Sequence, residues 1–196
     1  MTILLTVLLA ASPCRGLLST SGTIRIHGLS HRPTTDQVVA LLGANAVEEG
    51  EQHQRTLRYC ATSAEGHPVT ITFAWAFNRF ALKVLANVPA ASRTCRTVRT
   101  PLVLYPPVAV GGSASDAIRA LGLKNISYGE KAEFTCSETI PVTPKERDAI
   151  LRNGALSGKL VWYRDVTLRL MITGGVLVGI EQIEWLEPGW VGGGLE

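Results

Sequence analysis

VTITFAWAFNRFALKV, from Val69 to Val84, and VTLRLMITGGVLVGIE, from Val166 to Glu181, align with each other without a gap. The first half of each alternates with period two, the mark of a strand with one apolar face. Val69, Ile71, Phe73, Trp75 and Phe77 point one way, and Thr70, Thr72, Ala74 and Ala76 the other. In the second stretch Val166, Leu168, Leu170 and Ile172 face in, while Thr167, Arg169, Met171 and Thr173 face out. A turn is expected at Asn78-Arg79 in the first and at Gly174-Gly175 in the second, where Gly-Gly suits a tight hairpin. A second strand follows each time. These are antiparallel hairpins whose apolar side short helices can cover.

The helices stand upstream. TTDQVVALLG, Thr34 to Gly43, and SASDAIRALG, Ser113 to Gly122, each open on a hydroxyl cap. Gln37 or Asp116 follows three positions later, in a capping-box arrangement, and each stretch closes on Leu-Gly. Helices of about two turns need a packing partner to persist. A cysteine-bearing segment comes next in both cases, TLRYC ending at Cys60 and AEFTC ending at Cys136. The fold class is therefore α+β, as two tandem units, each with short helices packed on one face of an antiparallel β-sheet. The first unit spans residues 23–101 and the second 102–188, with the Pro-rich LYPPVAVGG region as linker. Thr143, Pro144 and Glu146 open an inserted helix ending at Gly154. Residues 189–196 form a flexible tail.

The 196 residues are 46% hydrophobic and 18% charged, which supplies a core and excludes disorder for most of the chain. A net charge of +3 is too small to argue for nucleic acid. Its distribution is uneven. No acid lies between Glu65 and Asp116, a stretch holding Arg79, Lys83, Arg93, Arg96 and Arg99, whereas Glu181, Glu184, Glu187 and Glu196 crowd the end. Such segregation suits a polar surface that complements a charged partner, or simply two solvated faces. Residues 1–16 read as a signal segment, with a short apolar run from Ile3 to Ala11. Export to the periplasm or beyond follows, with membrane association only if Cys14 is lipidated. Cys14, Cys60, Cys95 and Cys136 form no Cys-x-x-Cys pair and allow three pairings. Cys60–Cys95 is preferred, because Cys60 and Cys136 occupy equivalent positions in separate units. If Cys14 leaves with a signal, one bridge and one free thiol are expected.

No catalytic set, metal cluster or cofactor motif emerges. His27 and His31 are four apart in a polar loop, and His53 and His67 are isolated. Gly111 to Ser115 could offer amides to an anion, but it lacks a phosphate-loop lysine and reads as an ordinary helix start. Asn125-Ile126-Ser127 would accept a glycan only in a eukaryotic source. Trp162, Tyr163 and Arg164 are adjacent, so part of the trio must face outward; aromatic and arginine side chains are enriched where proteins bind proteins. Trp185 and Trp190 are further candidates.

A short helix ending in Leu-Gly, a cysteine-bearing strand and a strand running into TGGVLVGIEQIEW (Thr173 to Trp185) together resemble the β-lactamase inhibitor protein family. The wider group includes the small lipoprotein of the outer-membrane β-barrel assembly machine. The resemblance covers most of residues 23–187 and implies a concave sheet surface, built from two units side by side, that grips a partner protein. The matching outward positions are Thr70, Thr72, Ala74, Thr167, Arg169 and Met171. The lead-ins GLSHRPTTD and GGSASD and the cysteine spacing depart from the family's pattern, and no residue carries over as a β-lactamase contact. The expected function is a non-enzymatic, exported inhibitor or immunity protein that occludes a secreted or periplasmic enzyme. An envelope assembly lipoprotein and a small hydrolase are the alternatives.

Overall fold

The computed structural model describes residue 18 and residues 23–30, 32–44, 48–49, 54–76, 79–86, 95–123, 126, 128–144 and 160–190, with 48–49, 160–162 and 187–190 described by backbone alone. Both aligned stretches fold as antiparallel hairpins. β4 (Pro68–Ala76) turns back into β5 (Arg79–Ala86), and β9 (Leu160–Thr173) into β10 (Val176–Trp190). Gly174 and Gly175 make the second turn with φ of 56° and 75°. Two successive left-handed residues match the twist of a two-residue hairpin, and glycine adopts them without a Cβ clash. The first turn shifts the expectation by one position. Ala76 pairs with Arg79, so Arg79 already belongs to β5.

The period-two pattern becomes burial. Val69, Ile71 and Phe73 are buried, as are Phe80, Leu82 and Val84 on β5 and Val166, Leu168, Leu170 and Ile172 on β9. Each fully buried side chain of this kind contributes about 1.5–3 kcal/mol. β3 (Arg55–Thr62) flanks the first hairpin and β8 (Lys131–Pro141) the second. The central order is β3-β4-β5-β10-β9-β8, so the last strands of the two hairpins meet in the middle, with Leu82 opposite Gln182. Two short strands lie against β3: β2 (Glu48–Glu49), antiparallel, and β6 (Arg96–Thr97), parallel. The Cys60–Cys95 bridge, with its Cα atoms 5.4 Å apart, fastens the chain at that point. Cys136 is disulfide-bonded as well in the full chain; a free thiol is expected only of a chain that has lost Cys14. Cys14 lies outside the described residues.

The two helices whose full extent is described are short. α1 (Thr35–Leu42) has its capping box complete: Thr34 N–H donates to Gln37 Oε1 at 2.9 Å, and Gln37 N–H donates to Thr34 Oγ1 at 3.3 Å. α2 (Ala114–Ala120) keeps only half of it. Ser113 Oγ accepts from Asp116 N–H, but the Asp116 carboxylate turns to Arg119 at 3.1 Å. A glutamine reaches back to the cap and the shorter aspartate does not. Val38 and Leu42 of α1, and Ala114 and Ala117 of α2, pack into the same buried cluster as the strands.

The Pro-rich region is not a slack linker. Leu104–Tyr105 forms β7, which pairs with β1 (Arg25–Ile26), and Val108 and Val110 are buried. Next to it, Gly111 N–H donates to Leu177 O and Ala114 N–H to Gly175 O. Two of the amides considered for an anion are thus spent on the second hairpin, and Gly112 N–H donates to Ala109 O. The inserted helix expected to end at Gly154 falls, beyond Pro144, outside the described residues. Among the described residues no helix is long and apolar enough to cross a membrane.

One inward row is polar. Gln182 and Glu184 on β10 are 1% and 0% exposed. Gln182 Oε1 accepts from Ile24 N–H at 2.6 Å, and its Nε2 donates to Glu184 Oε1 at 2.7 Å. Arg164 Nη1 lies 3.9 Å from Glu184 Oε2. Burial pushes the Arg32 guanidinium below its ordinary value; the Glu184 charge opposes that shift and the Arg164 charge adds to it. Within the acidic C-terminal run Glu184 therefore belongs to the interior; the side chains of Glu187 and Glu196 lie outside the described residues.

Candidate functional site: the outward sheet face

The side of the sheet opposite the apolar cluster carries the candidate surface. Among the described residues of β3, β4, β5, β8, β9 and β10, the outward side chains are exposed or half-buried, and Gly179 is the exception. Strand pairing sets them in rows. One row runs Arg58–Thr72–Lys83–Glu181–Arg169–Thr135, each residue opposite the next across neighbouring strands. A second runs Thr70–Leu85–Gly179–Met171 and a third Ala74–Ala81–Ile183–Thr167. Six strands at about 4.8 Å spacing make this face roughly 24 Å wide, on the scale of a standard protein–protein patch of about 800 Å² per partner.

The central row is electrostatically locked. Lys83 Nζ lies 3.6 Å from Glu181 Oε1, Arg169 Nη1 donates to Glu181 Oε2 at 3.1 Å, and Arg169 Nε stands 2.8 Å from Glu133 Oε1. Positive and negative groups alternate across four strands. Beside them Ser137 and Thr167 hydroxyls meet at 2.9 Å. Side chains already held by neighbours lose less freedom when a partner arrives. At Gly179 a Cβ would come within 2.5 Å of Met171 Cε and 2.7 Å of Leu85 Cδ2. The missing side chain lets Met171 and Leu85 close over the strand from either side.

Thr70, Thr72, Ala74, Thr167, Arg169 and Met171 thus share one face, separated by the two strands of the central seam. The adjacent trio divides. Tyr163 faces outward and is 40% exposed. Arg164 does not join it: strand alternation turns it inward onto Glu184, with 12% of its side chain exposed. The side chains of Trp162 and Trp190 lie outside the described residues. Sequence reasoning left out Arg79, Lys83, Leu85, Glu181 and Ile183, which the alternation of Phe80, Leu82 and Val84 already implied for β5. Trp185 is 42% exposed, and the Arg79 guanidinium carbon sits 5.2 Å from its ring centroid.

Elsewhere the chemistry is sparse. His67 Nε2 is 3.8 Å from Glu65 Oε2 in a surface turn, and His27 is exposed. His31, His53 and Asn125 lie outside the described residues. Among the described residues no three His, Cys, Asp or Glu side chains converge on a site for a metal ion. No protein-family profile, curated protein or solved structure matches the chain.

Proposed function

We propose that the chain is an exported binding module whose outward sheet face occludes a secreted or periplasmic enzyme, as an inhibitor or immunity protein does. In this reading residues 23–101 and 102–188 are two tandem units, each a short helix followed by three strands. The mirrored strand order about the β5–β10 seam supports it. The Cys60–Cys95 bridge and the bonded Cys136 suit an oxidising compartment.

The observation that carries the reading is the outward face itself: an ionic row fixed across four strands, flanked by small side chains and bordered by Tyr163 and Trp185. Aromatic and arginine anchors beside small, water-excluding neighbours are the composition of a protein-binding patch. The test is affinity capture of secreted and envelope proteins on the immobilised chain, run beside a Thr72→Arg/Thr167→Arg variant with an unchanged circular dichroism spectrum. One enzyme is expected at near-stoichiometric yield, inhibited by the wild-type chain and held at least about tenfold more weakly by the variant. An empty column, or equal retention by both, rejects the proposal.

A further inference from the structure

We infer that the depression between Arg79 and Lys83 on the outward face is a seat for one carboxylate side chain of the partner protein; this rests on the docking role proposed for that face. The depression measures about 160 Å³. Drug-sized ligands occupy about 300–1,000 Å³, so this one is scaled to a side chain. Ala74, Ala76, Ala81, Arg79, Lys83 and Glu181 are among the residues that line it. Ala81 separates the two cations on β5, so both point outward with only a methyl group between them.

Arg79 has an unmet need. Its Nε is shut off from solvent and has no hydrogen-bond partner. Among the described residues no carboxylate lies within ion-pair distance of its guanidinium, which rests instead on the Trp185 ring. Arg169, on the same face, shares the enclosed Nε without a hydrogen bond, but its guanidinium has the Glu133 and Glu181 carboxylates within ion-pair distance. An incoming acceptor reaches the Nε–H only if the Arg79 side chain shifts toward it, and it then recovers the cost of the unmade hydrogen bond. A guanidinium held over a ring is restrained there, and its N–H groups can meet a planar carboxylate with two parallel hydrogen bonds.

The charge balance selects among anions. Arg79 and Lys83 bring two positive charges and Glu181 one negative, and the remaining single positive charge matches one carboxylate. A phosphate dianion would leave an excess charge beside Glu181. The partner therefore presents an Asp or Glu on a protruding segment, with apolar contacts around it on Trp185 and Ile183.

The experiment uses the full chain, isotopically labelled, with the Arg79 Nε–H and Trp185 indole signals followed by NMR. The probes are the tripeptide acetyl-Gly-Glu-Gly-amide, its Gln counterpart and inorganic phosphate. The Glu tripeptide is expected to shift both signals saturably, with a Kd of order millimolar. The Gln peptide gives no shift, and phosphate binds more weakly than the Glu peptide. Affinity falls by about tenfold or more in Arg79→Gln and by a smaller factor in Lys83→Gln, which leaves the Trp185 stack in place. Silence up to about 50 mM tripeptide, equal response to the Gln peptide, or tighter binding of phosphate overturns the inference. A silent seat combined with successful capture removes the seat alone. A responsive seat without any captured partner establishes carboxylate binding but overturns its assignment to a docking surface.

Discussion

Glu181 and Glu184 stand three residues apart on β10, on opposite faces of the sheet, and each meets an arginine. Glu181 lies on the outward face, itself only 14% exposed, 3.1 Å from Arg169 and 3.6 Å from Lys83, whose side chains are about two-fifths exposed to water. Glu184 is wholly enclosed, bonded by Gln182 and faced by Arg164. The two groups do different physical work. Water screens the outward pairs, so they contribute little to stability and much to surface shape and charge. The inward carboxylate has no water to fall back on, and its partners are the condition for its being there at all.

Substitutions can break this contrast. Glu184→Ala removes the buried carboxylate that faces Arg164 and Arg32 and is expected to cost about 3–5 kcal/mol, read as a drop in the urea midpoint at unchanged m-value. A loss below about 1 kcal/mol would show that water reaches the cluster. Glu181→Gln keeps the shape of the outward row and is expected to cost no more than about 1 kcal/mol, with most of that loss vanishing in high salt. A larger, salt-insensitive loss would make the two faces alike. Gly179→Ala sharpens the comparison further. The atoms a new Cβ would meet are the mobile ends of Met171 and Leu85, and alanine suits a strand better than glycine. Stability should change by less than about 1 kcal/mol, while the Met171 methyl resonance shifts as the side chain is displaced. An unmoved methyl would show that this surface is not closed over the glycine as described.

Much of this is written in alternation. Val69 to Phe73 and Val166 to Ile172 announce two hairpins by period alone, and Gly174-Gly175 announces a turn. The same parity places Thr72 and Arg169 outward. What a periodic reading does not contain is which strand lies beside which: the β5–β10 pairing sets Lys83 and Glu181 between those two residues, and no local pattern encodes a neighbour so distant in sequence. A run of glutamates suggests solvent for Glu184, although counting by twos from Ile180 puts it inside. Two-residue strands such as β6 and β7 are too short to carry a period. The Pro-rich region misleads for a related reason, since proline and glycine mark irregular backbone and leave open whether the valines between them are buried.

The seam between β5 and β10 also sets an order of events. Each hairpin closes locally, an event of microseconds. The seam joins Leu82 to Gln182, ends separated by about a hundred residues of chain, and the entropy of closing so long a loop must be met before any seam contact forms. The outward face straddles that join, with Lys83 and Leu85 on one side and Glu181 and Gly179 on the other. Neither half of the chain alone presents it. The surface proposed to recognise a partner comes into existence only with the last long-range step of folding, so an incompletely folded chain has nothing with which to bind.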